Sequence, residues 1–274
     1  MTRAAQPLIH CITNPISIHD CANIILAAGG RPIMAEHPAE VAEITRNSHA
    51  LALNLGNITD ARAESMFLAG KAIKRINVDE NAKRASVIDL VGITCSSFRM
   101  ELAKRFIKKC EPAVIKGNGS EIRAMAGTAF HGTGVDVSAA DAVTAKDPDT
   151  VHSMAHIAKE LAKETGAVVM VTGEVDIIAS PKNDSVYTIY NGSPNMAKVT
   201  GTGCMLTCIT GTYLAVTYAL DACILAALTL DCAGEYAYAA KGLGTYHMEL
   251  INQLSLMDET KIAQLANMQV LSIK

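Results

Sequence analysis

Two short turns in this chain carry the residue types that phosphate chemistry uses. The first is Val199-Thr200-Gly201-Thr202-Gly203-Cys204, followed by a long apolar stretch. Glycines let a backbone come close to a phosphate and adopt positive φ. A helix start beyond them offers unpaired N–H groups and the positive end of the helix dipole. Together these form an anion cradle. The second turn is Lys116-Gly117-Asn118-Gly119-Ser120-Glu121. Asn118 and Glu121 stand three apart, a spacing that turns both toward one face of a helix start. An amide and a carboxylate there suit a Mg²⁺ ion that keeps part of its water shell. Each turn has a plainer reading: a tight glycine turn, and an Asn118 or Ser120 cap with Glu121 as a first-turn charge. Finding both in one chain favours phosphate chemistry.

The elements that must position these turns alternate. Short apolar runs at residues 7–11, 33–35, 50–55, 86–91, 113–115 and 167–171 read as strands. Between them, residues 20–28, 38–45, 60–76, 97–110, 121–126 and 149–164 read as helices. Residues 97–110 open on a Ser96 or Ser97 cap, and their bases, from Arg99 onward, read as a wet helix face. Residues 177–180 and 186–190 look like an antiparallel pair. The pattern predicts an α/β fold with a mostly parallel central sheet covered by helices on both faces. Ligands of such sheets sit at the carboxyl ends of the strands, where both turns fall.

Composition narrows the function. The chain has 274 residues, half of them hydrophobic, with no linker, repeat or composition shift. One domain, residues 1–274, is expected. A net charge of −3 with no basic run disfavours nucleic acid and a polybasic membrane anchor. Residues 203–220 carry no charge, but Thr207, Thr210, Gly211, Thr212 and Thr217 interrupt them, so buried helices are expected rather than a membrane span. The eight cysteines form no CxxC pair, and the opening MTRAAQPLIHCITNP has no apolar h-region. A reducing cytoplasm with free thiols is the expectation. His152 and His156 are spaced like two zinc ligands, but Ser153 follows in place of Glu and no third ligand comes after. His10 and His19 read as hydrogen-bonding histidines.

At this point a family resemblance becomes visible. The Asn118-x-x-Glu121 pair, followed much later by the Gly201-x-Gly203-Cys204 helix start, is similar to the signature of the ribokinase-like superfamily. Cys in place of the usual Asp resembles the hydroxyethylthiazole kinase family. His10-Cys11-Ile12-Thr13-Asn14, Asp20-Cys21-Ala22-Asn23, Pro32-Ile33-Met34-Ala35, Leu53-Asn54-Leu55-Gly56 and Val171-Thr172-Gly173-Glu174-Val175-Asp176 resemble family segments in the same order. The likeness covers nearly the whole chain.

The resemblance implies an ATP-dependent kinase for 4-methyl-5-(2-hydroxyethyl)thiazole in thiamin salvage, a homotrimer with active sites between subunits. It implies that Met34 and Asn23 lie near the thiazole, and that Gly201 and Gly203 line the meeting point of hydroxyl and γ-phosphate. Lys116 and Thr172 would contact ATP, and Asn118 and Glu121 would organise Mg²⁺ with Asp89 as helper. Cys204 would accept the hydroxyl proton, its thiol made more acidic by the helix start. One departure is Leu90, where the family often has Pro, and it implies a looser turn after Asp89. Two alternatives stand beside this reading: a kinase for a pyrimidine or pyridoxal alcohol, and a ligand-binding paralogue without catalysis. Residues 130–147 suggest no role.

Overall fold

The computed structural model describes residues 1–79, 83–131, 138 and 141–273. Along the chain come α1 (Thr2–Ala5), β1 (Leu8–Ile12), α2 (Ile18–Ala27), β2 (Arg31–Ile33), α3 (Val41–Asn47), β3 (Ala50–Asn54), α4 (Asp60–Asp79), β4 (Ala85–Asp89), α5 (Ser97–Cys110), β5 (Val114–Asn118) and α6 (Gly119–Met125). They are followed by α7 (Pro148–Thr165), β6 (Val168–Thr172), β7 (Asp176–Ala179), β8 (Ser185–Ile189), α8 (Thr202–Leu214), α9 (Ala219–Tyr236), α10 (Leu243–Ser255), α11 (Glu259–Leu265) and β9 (Met268–Ser272).

Among the described residues, nine strands join one sheet in the order β2-β1-β3-β4-β5-β6-β7-β8-β9. Pairings from β2 to β6 are parallel, and those from β6 to β9 are antiparallel. The central strands are apolar throughout because each of their faces meets helices. Alternate residues serve opposite cores, as strand geometry requires. Leu51 and Leu53 of β3 face a core with Met66 of α4, Phe106 of α5 and Met154 of α7. Ala50 and Ala52 face a second core with Ile24 of α2, Ile209 of α8 and Leu250 of α10. The helix α8 sits close on the sheet: a Cβ on Gly211 would come within 3.1 Å of the Ala52 Cβ.

Local signals set the helix ends. Asp147 caps α7 by accepting from the Asp149 N–H at 3.1 Å, Pro148 occupies the first turn, and Gly166 closes the helix at φ 73°. The apolar segment 203–220 forms α8 and the start of α9, with a break at 215–218. Among the described residues no helix is long and apolar enough to cross a membrane.

The structure departs from the sequence reading in two ways. The strand expected at 113–115 runs on through Lys116 and Gly117 to Asn118. The elements α1, α10, α11 and β9 were not anticipated. The β9 strand is an exposed edge, so it lacks the apolar run that marks buried strands. Most of the stretch 132–140 lies outside the described residues.

Candidate active site

The parallel strands end in polar residues, and their register lines those residues up. Asn54 of β3 pairs with Asp89 of β4, Asp89 with Lys116 of β5, and Asn118 with Thr172 of β6. Asp89, Lys116, Asn118 and Thr172 of this row line the floor of a cleft of about 700 Å³, and Asn54 supports it through its bond to Asp89. The opposite wall is the segment 196–204, which leads into α8. The two turns singled out from the sequence therefore share one hollow. Cys204, Gly201, Gly203, Lys116, Thr172, Asn118, Glu121 and Asp89 all line it.

Asp89 is the hub of the floor. Its Oδ2 accepts from Lys116 Nζ at 3.0 Å, Asn54 Nδ2 at 3.1 Å and Thr207 Oγ1 at 2.6 Å. The Val91 N–H donates to its Oδ1 at 3.2 Å. The side chains of Asp89 and Lys116 are each 3% exposed. Burial works against the Lys116 ammonium, but the Asp89 charge outweighs it and leaves the lysine above its ordinary pKa. Leu90, where a looser turn was expected, does the reverse. Its N–H donates to the Lys116 carbonyl at 2.8 Å, a bond proline cannot make, and its side chain is fully buried.

Glu121 belongs to a complete capping box on α6. Asn118 Oδ1 accepts from the Glu121 N–H at 3.0 Å, and Glu121 Oε2 accepts from the Asn118 N–H at 2.8 Å. Oε1 accepts from the Gly92 N–H at 2.7 Å. Asn118 and Glu121 thus hold the cap of the plainer reading while also facing the cleft. Burial, and then the Asp89 charge, push the Glu121 carboxyl up to about 7. Two buried carboxylates share one buried lysine, which leaves an uncompensated negative charge that a cation would relieve. The oxygens already accept N–H groups, so they fit an ion that keeps its own waters, as Mg²⁺ does.

The opposite wall is an anion cradle. Gly201 takes φ 88° at the start of α8, and no side chain caps the helix. The first backbone bond into the helix is from Met205 N–H to the Gly201 carbonyl at 2.8 Å, leaving the N–H groups of residues 202–204 without intrahelical partners. A Cβ on Gly201 would meet the Ser17 Cβ at 3.2 Å, and one on Gly203 would lie 3.6 Å from Lys116 Nζ. The Cys204 sulfur joins this wall to the floor. It accepts from Asn14 Nδ2 at 3.2 Å and Asn54 Nδ2 at 3.3 Å. Its thiol is pushed up, first by burial and then by Asp89. That corrects the expectation of a more acidic thiol: burial first, and then the carboxylate beside it, outweigh the helix start.

Asn23 and Met34 are not brought to the cleft. Asn23 lies along α2, where its amide meets the His19 ring at 3.2 Å. Met34 follows the edge strand β2 and packs against the core beneath α8 and α9. His10 is buried, with its ring bonded to Thr45 Oγ1 at 2.8 Å and the Ala35 carbonyl at 2.9 Å. Sequence reasoning gave no role to Asn14, Asn54 or Arg99. The first two were noted only within family-like segments, and Arg99 was grouped with the wet face of α5 although it lines the cleft.

Comparison with known proteins agrees with this geometry. The model of the Hydroxyethylthiazole kinase family matches residues 1–260. Hydroxyethylthiazole kinase 2 of Clostridium botulinum strain Hall is 46% identical over 261 residues, which cover 95% of this chain and 94% of that protein. The structure of a hydroxyethylthiazole kinase from Pyrococcus horikoshii OT3 superposes with a TM-score of 0.85 at 29% identity, covering 99% and 96% of the two chains. A pyridoxal kinase from Staphylococcus aureus, solved with AMP-PCP and pyridoxal, shares the ribokinase-like fold at 13% identity, with a TM-score of 0.62 and coverage of 97% and 98%.

Proposed function

The chain belongs to the hydroxyethylthiazole kinase family, and from that premise we propose how its cleft moves the γ-phosphoryl of ATP onto the hydroxyl of 4-methyl-5-(2-hydroxyethyl)thiazole, the alcohol recovered in thiamin salvage. The observation that carries this reading is the convergence of the residue 201–204 backbone with Lys116 and Glu121 on one hollow.

Phosphoryl transfer passes through a loose transition state, so positioning and charge matter most. The N–H groups of residues 202–204 face the space where charge develops on the transferred group. Lys116, held by Asp89, supplies a fixed positive charge from the floor. Thr172 and Asn118 line the nucleotide side of the hollow. Glu121 and Asn118, with Asp89 behind them, would hold Mg²⁺ through its waters, and the ion would neutralise polyphosphate charge. Cys204 remains a thiol near neutral pH because its pKa is raised. It therefore orients the acceptor hydroxyl and is a poor proton acceptor. The proton leaves late, as the new P–O bond forms and the bond to the ADP oxygen breaks, onto an oxygen of the transferred phosphoryl group.

Asn23 and Met34 lie outside the cleft of their own chain, so the thiazole side of the site is completed by another copy. Exposed Ile16 at the cleft edge and exposed Leu26 on α2 support such a contact. A homotrimer is the assembly proposed, and a solution mass of three times 29.0 kDa would agree with it. A dilution-stable monomer with full activity would refute it.

The direct test is ADP release with Mg²⁺ and a panel of alcohols. We expect kcat/KM for the thiazole alcohol to exceed that for pyridoxal and hydroxymethylpyrimidine by at least about tenfold. A preference for either of those, or no ADP release with any alcohol, would overturn the reading.

A further inference from the structure

The charges of the cleft are unevenly matched. Lys116 is spent on Asp89, and both oxygens of Glu121 accept backbone N–H groups. Arg99 is not spent. It lines the cleft, half-buried, and its guanidinium makes no hydrogen bond or salt bridge among the described residues. Its backbone N–H donates to Ser96 Oγ at 3.3 Å, which fixes it as the third residue of α5.

Two features show that this position is not chosen for stability. A cation in the first turn of a helix opposes the helix dipole, and α5 has no acidic residue there to balance it. The side chain also occupies space that only glycine leaves open. The Arg99 Nη1 atom lies 2.3 Å from where a Cβ on Gly92 would stand, and Gly92 has φ 74°. The same Gly92 donates its N–H to Glu121 Oε1 at 2.7 Å. The guanidinium thus rests on the turn that holds the proposed metal-binding carboxylate, across the hollow from the residue 201–204 wall.

We infer that Arg99 is a polyphosphate ligand, which grips the β- and γ-phosphates of the nucleotide at the Glu121 end of the cleft. The inference rests on the kinase reading above. A planar fork of donors with no partner among the described residues suits two phosphate oxygens at once, which a lysine cannot match.

Arg99→Ala, Arg99→Lys and Arg99→Gln test it in the full-length protein. Affinities for β,γ-methylene ATP with Mg²⁺ and for AMP are measured by calorimetry, and KM for each substrate by ADP release. In Arg99→Ala, affinity for the ATP analogue should fall about 10- to 100-fold. AMP affinity and the KM for the thiazole alcohol should change less than about threefold. Arg99→Lys should fall between Ala and the unaltered protein, and Arg99→Gln should resemble Ala. Melting temperatures should be unchanged, because the guanidinium has no partner among the described residues. If ATP-analogue and AMP affinities fell together, or neither moved, the Arg99 assignment would fall while the kinase reading stood. If the unaltered protein bound no nucleotide, both would fall.

Discussion

The floor and the rim of the cleft solve different problems. On the floor, Asn54, Asp89 and Lys116 are placed by sheet register, buried, and bonded to one another. On the rim, Arg99 and Lys198 sit in the first turn of α5 and a single 3₁₀ turn, half-buried and exposed, with Lys198 reaching Asn195 Oδ1 at 3.4 Å. On the floor, the Asp89 and Lys116 charges neutralise each other before any ligand arrives. Charges on the rim are left for the ligand. A buried pair holds geometry and costs much when broken, whereas an exposed cation costs little and adds binding. Substitutions on the floor should therefore damage stability and turnover together, and substitutions on the rim should damage nucleotide affinity alone.

The largest effect is expected from Asp89→Asn, which leaves Lys116 charged and buried without its partner. Denaturant melts should show a loss of about 3–5 kcal/mol, and kcat should drop about 10²- to 10³-fold. A variant with unchanged stability would erase the distinction between floor and rim. Next comes Gly201→Ala, which forces a Cβ into φ 88° and toward Ser17. Steady-state kinetics should show kcat reduced about 10²-fold by misplacement of the cradle, with a stability cost of about 1–2 kcal/mol.

A pH series sharpens the role of Glu121. Its carboxyl titrates at about 7 when folded, against an ordinary 4.5. Between those values the native chain keeps a proton that the unfolded chain has released, so stability without a metal ion falls as pH rises from 4.5 to 7. Cation binding must displace that proton. Calorimetry with Mg²⁺ and an ATP analogue should show affinity about tenfold higher at pH 8 than at pH 6. Glu121→Gln should flatten the dependence. The smallest effect is expected for Cys204→Ala: a loss in kcat of about tenfold or less, because the thiol orients the hydroxyl. A loss beyond about 10²-fold would restore it as a general base.

The fold was legible where burial is strong. Apolar strands read as a two-sided parallel sheet because Leu51, Ile88 and Val169 have nowhere else to go. The edge strand β9 was not legible, since Met268 and Val270 remain exposed and carry no hydrophobic pattern. In the site, the residue 201–204 turn was visible through its glycines and the residue 116–121 turn through its capping spacing. The raised pKa of Cys204 was not visible, because it depends first on burial and then on Asp89, 115 positions away in sequence and adjacent only after β4 meets α8. Arg99 was hidden among the bases of α5, since a helix pattern does not show which first-turn residue points back over the preceding loop. Asn23 and Met34 came from resemblance alone, and their place outside the cleft follows from a strand order that no local pattern encodes.

Asn118 is both the last residue of β5 and the cap of α6, so the chain passes from strand to helix with no loop between. Lys116 and Glu121 therefore move as one stiff piece and cannot swing apart. Entry of nucleotide and escape of product must be served by the other wall, where residues 190–201 hold only one 3₁₀ turn. If release limits turnover in this enzyme, the rate is written in that looser segment, and solvent viscosity should slow it more than any change made on the floor.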